Sequence, residues 1–183
     1  LEAYAGHRGS VFGHVGMSAH NQKTFDALLM QDLLTLQDAP YVLMEAESNR
    51  IGKVVLPEAI VRWKEMGEPI RIEMPLDARV RQILDDYRPQ THKQAYLEAF
   101  GRIKSRIHIP IAAEIEALIR EDRFAPAVEL LLRHYYDPRY ANKAGQYPDD
   151  RGVTLQVGSV EEAVREIRAY LAYQGGRAAG ISG

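Results

Sequence analysis

Residues 6–16 read GHRGSVFGHVG, and three of them could do chemistry together. Arg8 is a fork-shaped donor, Ser10 carries a hydroxyl, and the glycines around them (Gly6, Gly9, Gly13 and Gly16) leave backbone N–H groups open to a close-approaching anion. His7 could shuttle a proton, although a lone loop histidine is also an ordinary surface group. The same residues fit a plain turn equally well. Further on, YVLMEAESNRIGK sets Glu45 and Glu47 at the carboxyl end of an apolar run, where open α/β sheets bind ligands. A carboxylate there can hold Mg2+ through water or orient a nucleophile. Ser48 and Asn49 form a turn, and Arg50, Gly52 and Lys53 offer positive charge and N–H groups suited to phosphate oxygens. A solvated turn entering a helix accounts for that spacing as well.

Two more stretches stand out. RPQTHKQAYLEAFGRIKSRIH is the most basic window, with Arg88, Lys93, Arg102, Lys104 and Arg106 against the single acid Glu98. Arg102 and Arg106 are four apart, which predicts one helix face, and such a face beside Tyr96 could track an RNA backbone or simply be solvated. LLLRHYYDPRY crowds His134, Tyr135, Tyr136 and Tyr140 at a helix end, with Asp137-Pro138 expected to force a turn. Aromatics so placed stack on bases or pack on a core, and the second is the commoner use.

Several chemistries are excluded by pattern. Lys53 is not the lysine of G-x-x-x-x-G-K-[ST], because position 47 is Glu and Val54 follows it, so the chain holds no P-loop of its own. The six histidines show neither H-x-H nor H-x-x-x-H spacing, which argues against a metal site. Ser10 lacks the G-x-S-x-G setting of a hydrolase nucleophile. With no cysteine there is no thiol nucleophile, thiolate zinc site or disulfide.

The elements that must position these groups follow from periodicity. Asn21 caps a helix carrying Phe25, Leu28, Leu29, Leu33 and Leu36, and YVLM then reads as a short buried strand. Pro57 opens a helix that Gly67 stops. PIRIEM alternates as a strand, and Asp77 caps a helix with Val80, Ile83, Leu84 and Tyr87 inside. This alternation predicts an α/β fold with a parallel sheet and crossover helices. A run of helices follows, with stripes Tyr96–Phe100–Ile103–Ile107 and Ile111–Ile115–Leu118–Ile119, then Val128–Leu131–Leu132–Tyr135 in a helix starting at Pro126. VTLQV is one more strand, and Ser159 with Glu162 forms a capping box for a last helix. The expected organisation is an α/β core over 1–89, a helical subdomain or lid over 90–147, a returning strand and helix over 148–174, and a disordered tail over 175–183.

At 183 residues and 46% hydrophobic the chain suits one domain with a substantial core. A net charge of −2 excludes a bulk polyanion binder, so nucleic acid would have to meet a local patch. The sequence carries no membrane-spanning run and no signal-peptide pattern, and a soluble cytoplasmic protein is the default expectation. Leu1 in place of Met points to a fragment.

LEAYAGHRGSVFG, then EAESNRIGKVVLPEAI, then HYYDPRY occur in an order that resembles bacterial tRNA 2-selenouridine synthases. The resemblance implies a partial P-loop NTPase-like core from just after the family's second strand, with the Walker A region and a rhodanese domain bearing the catalytic cysteine outside this chain. The implied full-length activity is replacement of sulfur by selenium at wobble-position 2-thiouridine in tRNA. It proceeds through an S-geranyl intermediate, from geranyl diphosphate and selenophosphate, with Mg2+ as a candidate cofactor. His7, Arg8, Gly9, Ser10 and Gly13, with Glu45, Glu47, Ser48, Arg50 and Gly52, would line a diphosphate or nucleotide site. Arg88, Lys93, Arg102, Lys104 and Arg106 would face tRNA. The fragment alone is expected to be inactive. Other readings are a different P-loop nucleotide-binding kinase or ATPase, and a non-catalytic RNA-binding module.

Overall fold

A computed structural model of the chain describes residues 1–46, 48–144 and 152–179. After α1 (Glu2–Ala5), ended by Gly6 in the left-handed region, comes α2 (Gln22–Thr35). Its cap is the expected one: Asn21 Oδ1 accepts the Thr24 N–H at 2.9 Å. β1 (Arg50–Ile51) and β2 (Val54–Val55) make a small antiparallel hairpin, with Ile51 opposite Val54. Pro57 then fixes the entry to α3 (Glu58–Met66), which stops at Gly67.

β3 (Ile70–Glu73) lies parallel to β4 (Val153–Gln156), from Ile70 opposite Val153 to Glu73 opposite Gln156. All the middle helices lie between these strands in sequence: α4 (Leu76–Tyr87), α5 (Lys93–Gly101), α6 (Ile109–Arg120), α7 (Phe124–Leu131) and α8 (Asp137–Ala144). The chain therefore comes back beside β3 after these helices. The protein is α/β, mainly helical, with a small parallel sheet. α9 (Val160–Ala179) closes it, with Glu162 N–H on Ser159 Oγ at 3.2 Å and Glu162 Oε2 accepting the Gly158 N–H at 2.6 Å. This helix runs to Ala179, within the stretch expected as tail; residues 180–183 lie outside the described ones.

Three local expectations are corrected. Residues 41–46 form no strand: an extended segment becomes a strand only with a paired neighbour, and among the described residues none lies beside it. Tyr41, Val42 and Leu43 are correspondingly exposed. The stripe Tyr96–Ile107 is buried as read, but α5 ends at Gly101 and a 3-10 turn (Lys104–Arg106) follows, so Arg102 and Arg106 do not share a helix. Asp137-Pro138 makes no turn. The chain passes from α7 through a π-helical turn (Leu132–Tyr136) directly into α8, whose first turn tolerates Pro138 because no N–H is needed there.

Two apolar clusters hold the fold. One joins Ala5, Phe25, Leu29, Ile51, Val54, Leu56 and Ile60, from α1, α2, the hairpin and α3. The other is built from α5, α6 and α7 around Phe100, Ile103 and Ile115, and it includes Phe12 and Val15 of the glycine-rich loop. That loop is thereby anchored in both clusters, by Ala5 at one end and Phe12 at the other.

Candidate ligand-binding site at the glycine-rich loop

The loop consumes most of its own N–H groups. Arg8 N–H donates to Gly13 O at 3.0 Å, Ser10 N–H to Arg8 O at 2.7 Å, and Gly13 N–H to Ser10 O at 3.0 Å. His7 Nδ1 accepts the Gly9 N–H at 3.1 Å, and Ser10 Oγ accepts the Phe12 N–H at 3.2 Å. The backbone cradle that the glycines allow is therefore folded onto itself, and the side chains are what remain for a ligand. Gly13 and Gly52 serve a different need: a Cβ at either would come within 3 Å of the His7 ring (2.9 Å from Gly13, 2.7 Å from Gly52). The imidazole thus joins the loop to the β1–β2 hairpin. Burial first, and His14 second, push its pKa below the usual 6.5, so it is a neutral spacer.

Beside the loop is a pocket of about 330 Å3 between it, α4, α6, α7 and the π-helical turn. Phe12, Ile83, Leu84, Phe124, Val128 and Leu131 give it an apolar wall, while Arg8, Ser10, Arg79, Tyr87, Tyr136 and Asp137 bring polar groups to it. Its size lies at the lower end of the range of about 300–1,000 Å3 for small-molecule sites. Ser10 Oγ and Tyr87 Oη are 3.0 Å apart. The Arg8 guanidinium stacks 5.0 Å from the Tyr87 ring centre, and its Nη1 donates to Val15 O at 3.2 Å. Tyr96 Oη donates to Tyr87 O at 2.7 Å. Burial raises the Tyr87 and Tyr136 phenols and pushes Tyr96 up to about 12, so all three are protonated donors at neutral pH. The pocket is amphipathic: an apolar lining together with the Arg8 and Arg79 guanidiniums, the Glu2 and Asp137 carboxylates and the Ser10, Tyr87 and Tyr136 hydroxyls.

The strand-end residues fall elsewhere. Glu45 lines a smaller hollow of about 110 Å3 with Tyr4, Asp32 and Met44. Burial acts to raise the Glu45 carboxyl, and backbone hydrogen bonds from Glu45 and Glu2 act to lower it. Ser48 Oγ closes a local turn, donating to Arg50 O at 2.6 Å and accepting the Arg50 N–H. The Arg50 side chain is exposed on the hairpin. Glu47 lies outside the described residues. Gly52 thus joins the His7 loop, while Glu45 does not. Among the described residues no three His, Asp or Glu side chains gather as a metal-binding group.

The basic window divides. Lys93 is held by Asp122 at 2.8 Å and by Arg120 O, and Lys104 pairs with Glu116. Arg88, Arg102 and Arg106 are exposed and make no ion pair among the described residues. The sequence reading missed Arg79 and assigned Tyr87 to the core without its hydroxyl bond. An arginine set between Ala78 and Val80 in the helix sequence was the available signal.

No helix among the described residues is long and apolar enough to cross a membrane. The family model for the tRNA 2-selenouridine synthase AAA domain matches residues 1–172. The tRNA 2-selenouridine synthase of Shewanella loihica is 32% identical over 178 residues, covering 81% of this chain and 48% of that protein. That of Shewanella piezotolerans is 31% identical over 76% of the chain and 46% of the relative, and that of Chromohalobacter salexigens 28% identical over 94% and 54%. The chain spans about half the length of the curated relatives it matches. No solved structure matches it. The match runs from the glycine-rich loop through the pocket helices and β4 into α9, so the pocket lies within the shared region, and the chain belongs to the tRNA 2-selenouridine synthase AAA-domain family.

Proposed function

We propose that this chain is the part of a tRNA 2-selenouridine synthase that binds tRNA and an allylic diphosphate. The amphipathic pocket carries this reading: an apolar wall suited to a branched hydrocarbon chain adjoins Arg8 and the Ser10–Tyr87 hydroxyl pair, suited to a diphosphate head. In the full-length reaction geranyl diphosphate alkylates the sulfur of wobble-position 2-thiouridine and diphosphate leaves; the selenium of selenophosphate then bonds to C2, geranylthiol leaves, and hydrolysis of the P–Se bond releases phosphate. The cysteine nucleophile of the rhodanese domain and the Walker A region lie outside this chain. The α/β elements here form part of a P-loop-type core over 1–89 and 148–174, with 90–147 as its helical subdomain, working in the cytoplasm.

Arg50 and Gly52 contribute through the hairpin that packs on His7, which supports a role in setting the loop beside tRNA or diphosphate. Arg88, Arg102 and Arg106 are the tRNA-facing cations, with Lys93 and Lys104 as structural partners of acids. No step is routed through Mg2+. The deciding experiment is geranylation of 2-thiouridine tRNA by the full-length protein carrying Arg8→Ala. A loss of at least tenfold in kcat/KM for geranyl diphosphate is expected, and unchanged geranylation overturns the assignment.

A further inference from the structure

Two buried polar atoms among the pocket-lining side chains make no hydrogen bond of good geometry: Arg79 Nε and the Tyr136 hydroxyl, whose nearest polar neighbour is the Ser10 hydroxyl. Orphaned buried donors are rare, and each needs an explanation. The fold goes to some length to hold both. Asp137 grips the Arg79 guanidinium with both carboxylate oxygens, Nη1 to Oδ1 at 2.7 Å and Nη2 to Oδ2 at 2.9 Å, which leaves the Nε–H and the second hydrogen of each Nη outside that pair. The next residue back, Tyr136, ends the π-helical turn, an irregularity that helices often carry at functional sites. Its ring meets Tyr135 edge-on with centroids 5.0 Å apart, and Tyr135 in turn carries the Arg139 guanidinium 5.0 Å from its ring centre. Two residues lining the pocket therefore carry a buried donor without a well-formed bond, and both are held by the HYYDPRY segment.

We propose that Arg79 Nε and Tyr136 Oη donate hydrogen bonds to the head-group oxygens of a phosphorylated apolar chain in this pocket, and so select that ligand over its uncharged alcohol. The inference rests on reading the pocket as an allylic-diphosphate site. The Arg79–Asp137 pair is neutral overall, so its contribution is directional donation, while Arg8 supplies the positive charge. Arg79, Tyr136 and Asp137 are specificity-determining residues in this scheme, and the role of Asp137 is to orient Arg79.

The test titrates the full-length protein, wild type and Tyr136→Phe, with geranyl diphosphate, geraniol and dodecyl phosphate, and follows the thermal midpoint of each protein. Tyr136→Phe is expected to weaken geranyl diphosphate about tenfold, to leave geraniol within twofold, and to leave the ligand-free midpoint unchanged or higher, because the buried hydroxyl it removes makes no well-formed hydrogen bond. Arg79→Lys, which keeps the charge and loses Nε, is expected to act in the same direction. Equal losses for the diphosphate and the alcohol, a lowered ligand-free midpoint, or no change with any probe overturns the proposal. If wild type ignores geranyl diphosphate but binds dodecyl phosphate in a Tyr136-dependent way, the allylic reading falls and the donor assignment stands. If wild type binds geranyl diphosphate and Tyr136→Phe is without effect, the donor assignment falls alone. Binding of none of the three probes overturns both.

Discussion

The imidazole of His7 occupies the space that a side chain at residue 52 would need, with its Cγ and Cδ2 only 2.7 Å from where that Cβ would stand. Residue 52 is also in the left-handed region, at φ 57°, where a side chain is strained whatever the space around it. The contact joins two segments separated by more than forty residues, and it couples the pocket loop to the β1–β2 hairpin.

Gly52→Ala is accordingly expected to destabilise the protein by about 1–3 kcal/mol, from overpacking together with backbone strain. The shift of the urea midpoint at unchanged m-value measures it. A variant as stable as wild type would show that the ring and hairpin are not in contact.

The same ring gives a pH dependence. Its folded-state pKa is below the unfolded 6.5, so the unfolded chain takes up the proton first as pH falls. The stabilising contribution is complete above pH 6.5 and is lost as pH falls from there through the lowered folded-state value. Urea unfolding of wild type and His7→Gln across pH 5–8 reads this as a slope that wild type has and the variant lacks.

Ser10 lines the pocket and makes two bonds, with the Tyr87 hydroxyl and the Phe12 N–H. Ser10→Ala removes both bonds and is expected to cost about 1–3 kcal/mol. Because Phe12 is buried in the helical cluster, hydrogen exchange at its amide should rise in the variant relative to the amides of α6.

On the basic surface the expected effects separate by pairing. Arg102→Ala and Arg106→Ala each remove a cation with no acidic partner among the described residues. Each is expected to reduce the slope of log K for tRNA against log salt by about 0.7–0.9. Lys93→Ala and Lys104→Ala remove charges already met by Asp122 and Glu116, and should change that slope by less than half as much. Equal slopes for all four variants would remove the distinction.

The sequence by itself determined the elements whose causes are local. The Asn21 cap, the Pro57 start and Gly67 stop of α3, the alternation of β3 and the Ser159–Glu162 box each act within a few residues, and each stands where its pattern puts it. The combination HRGSVFG, ESNRIG and HYYDPRY was also sufficient for the family. What tertiary structure alone decided is everything that depends on partners distant in the chain. Residues 41–46 have strand-like composition, yet their exposed, unpaired course is set by which backbone lies alongside. The glycine-rich loop spends its N–H groups internally, which its composition does not reveal. Glu45 and Gly52, seven residues apart, part company, Glu45 to the smaller hollow and Gly52 to the His7 ring, whereas Ser10 meets Tyr87 and Arg79 meets Asp137 across 77 and 58 residues. Periodicity records which face of an element is apolar, but the pairing of two faces is a property of packing, and the amphipathic pocket exists only in that pairing.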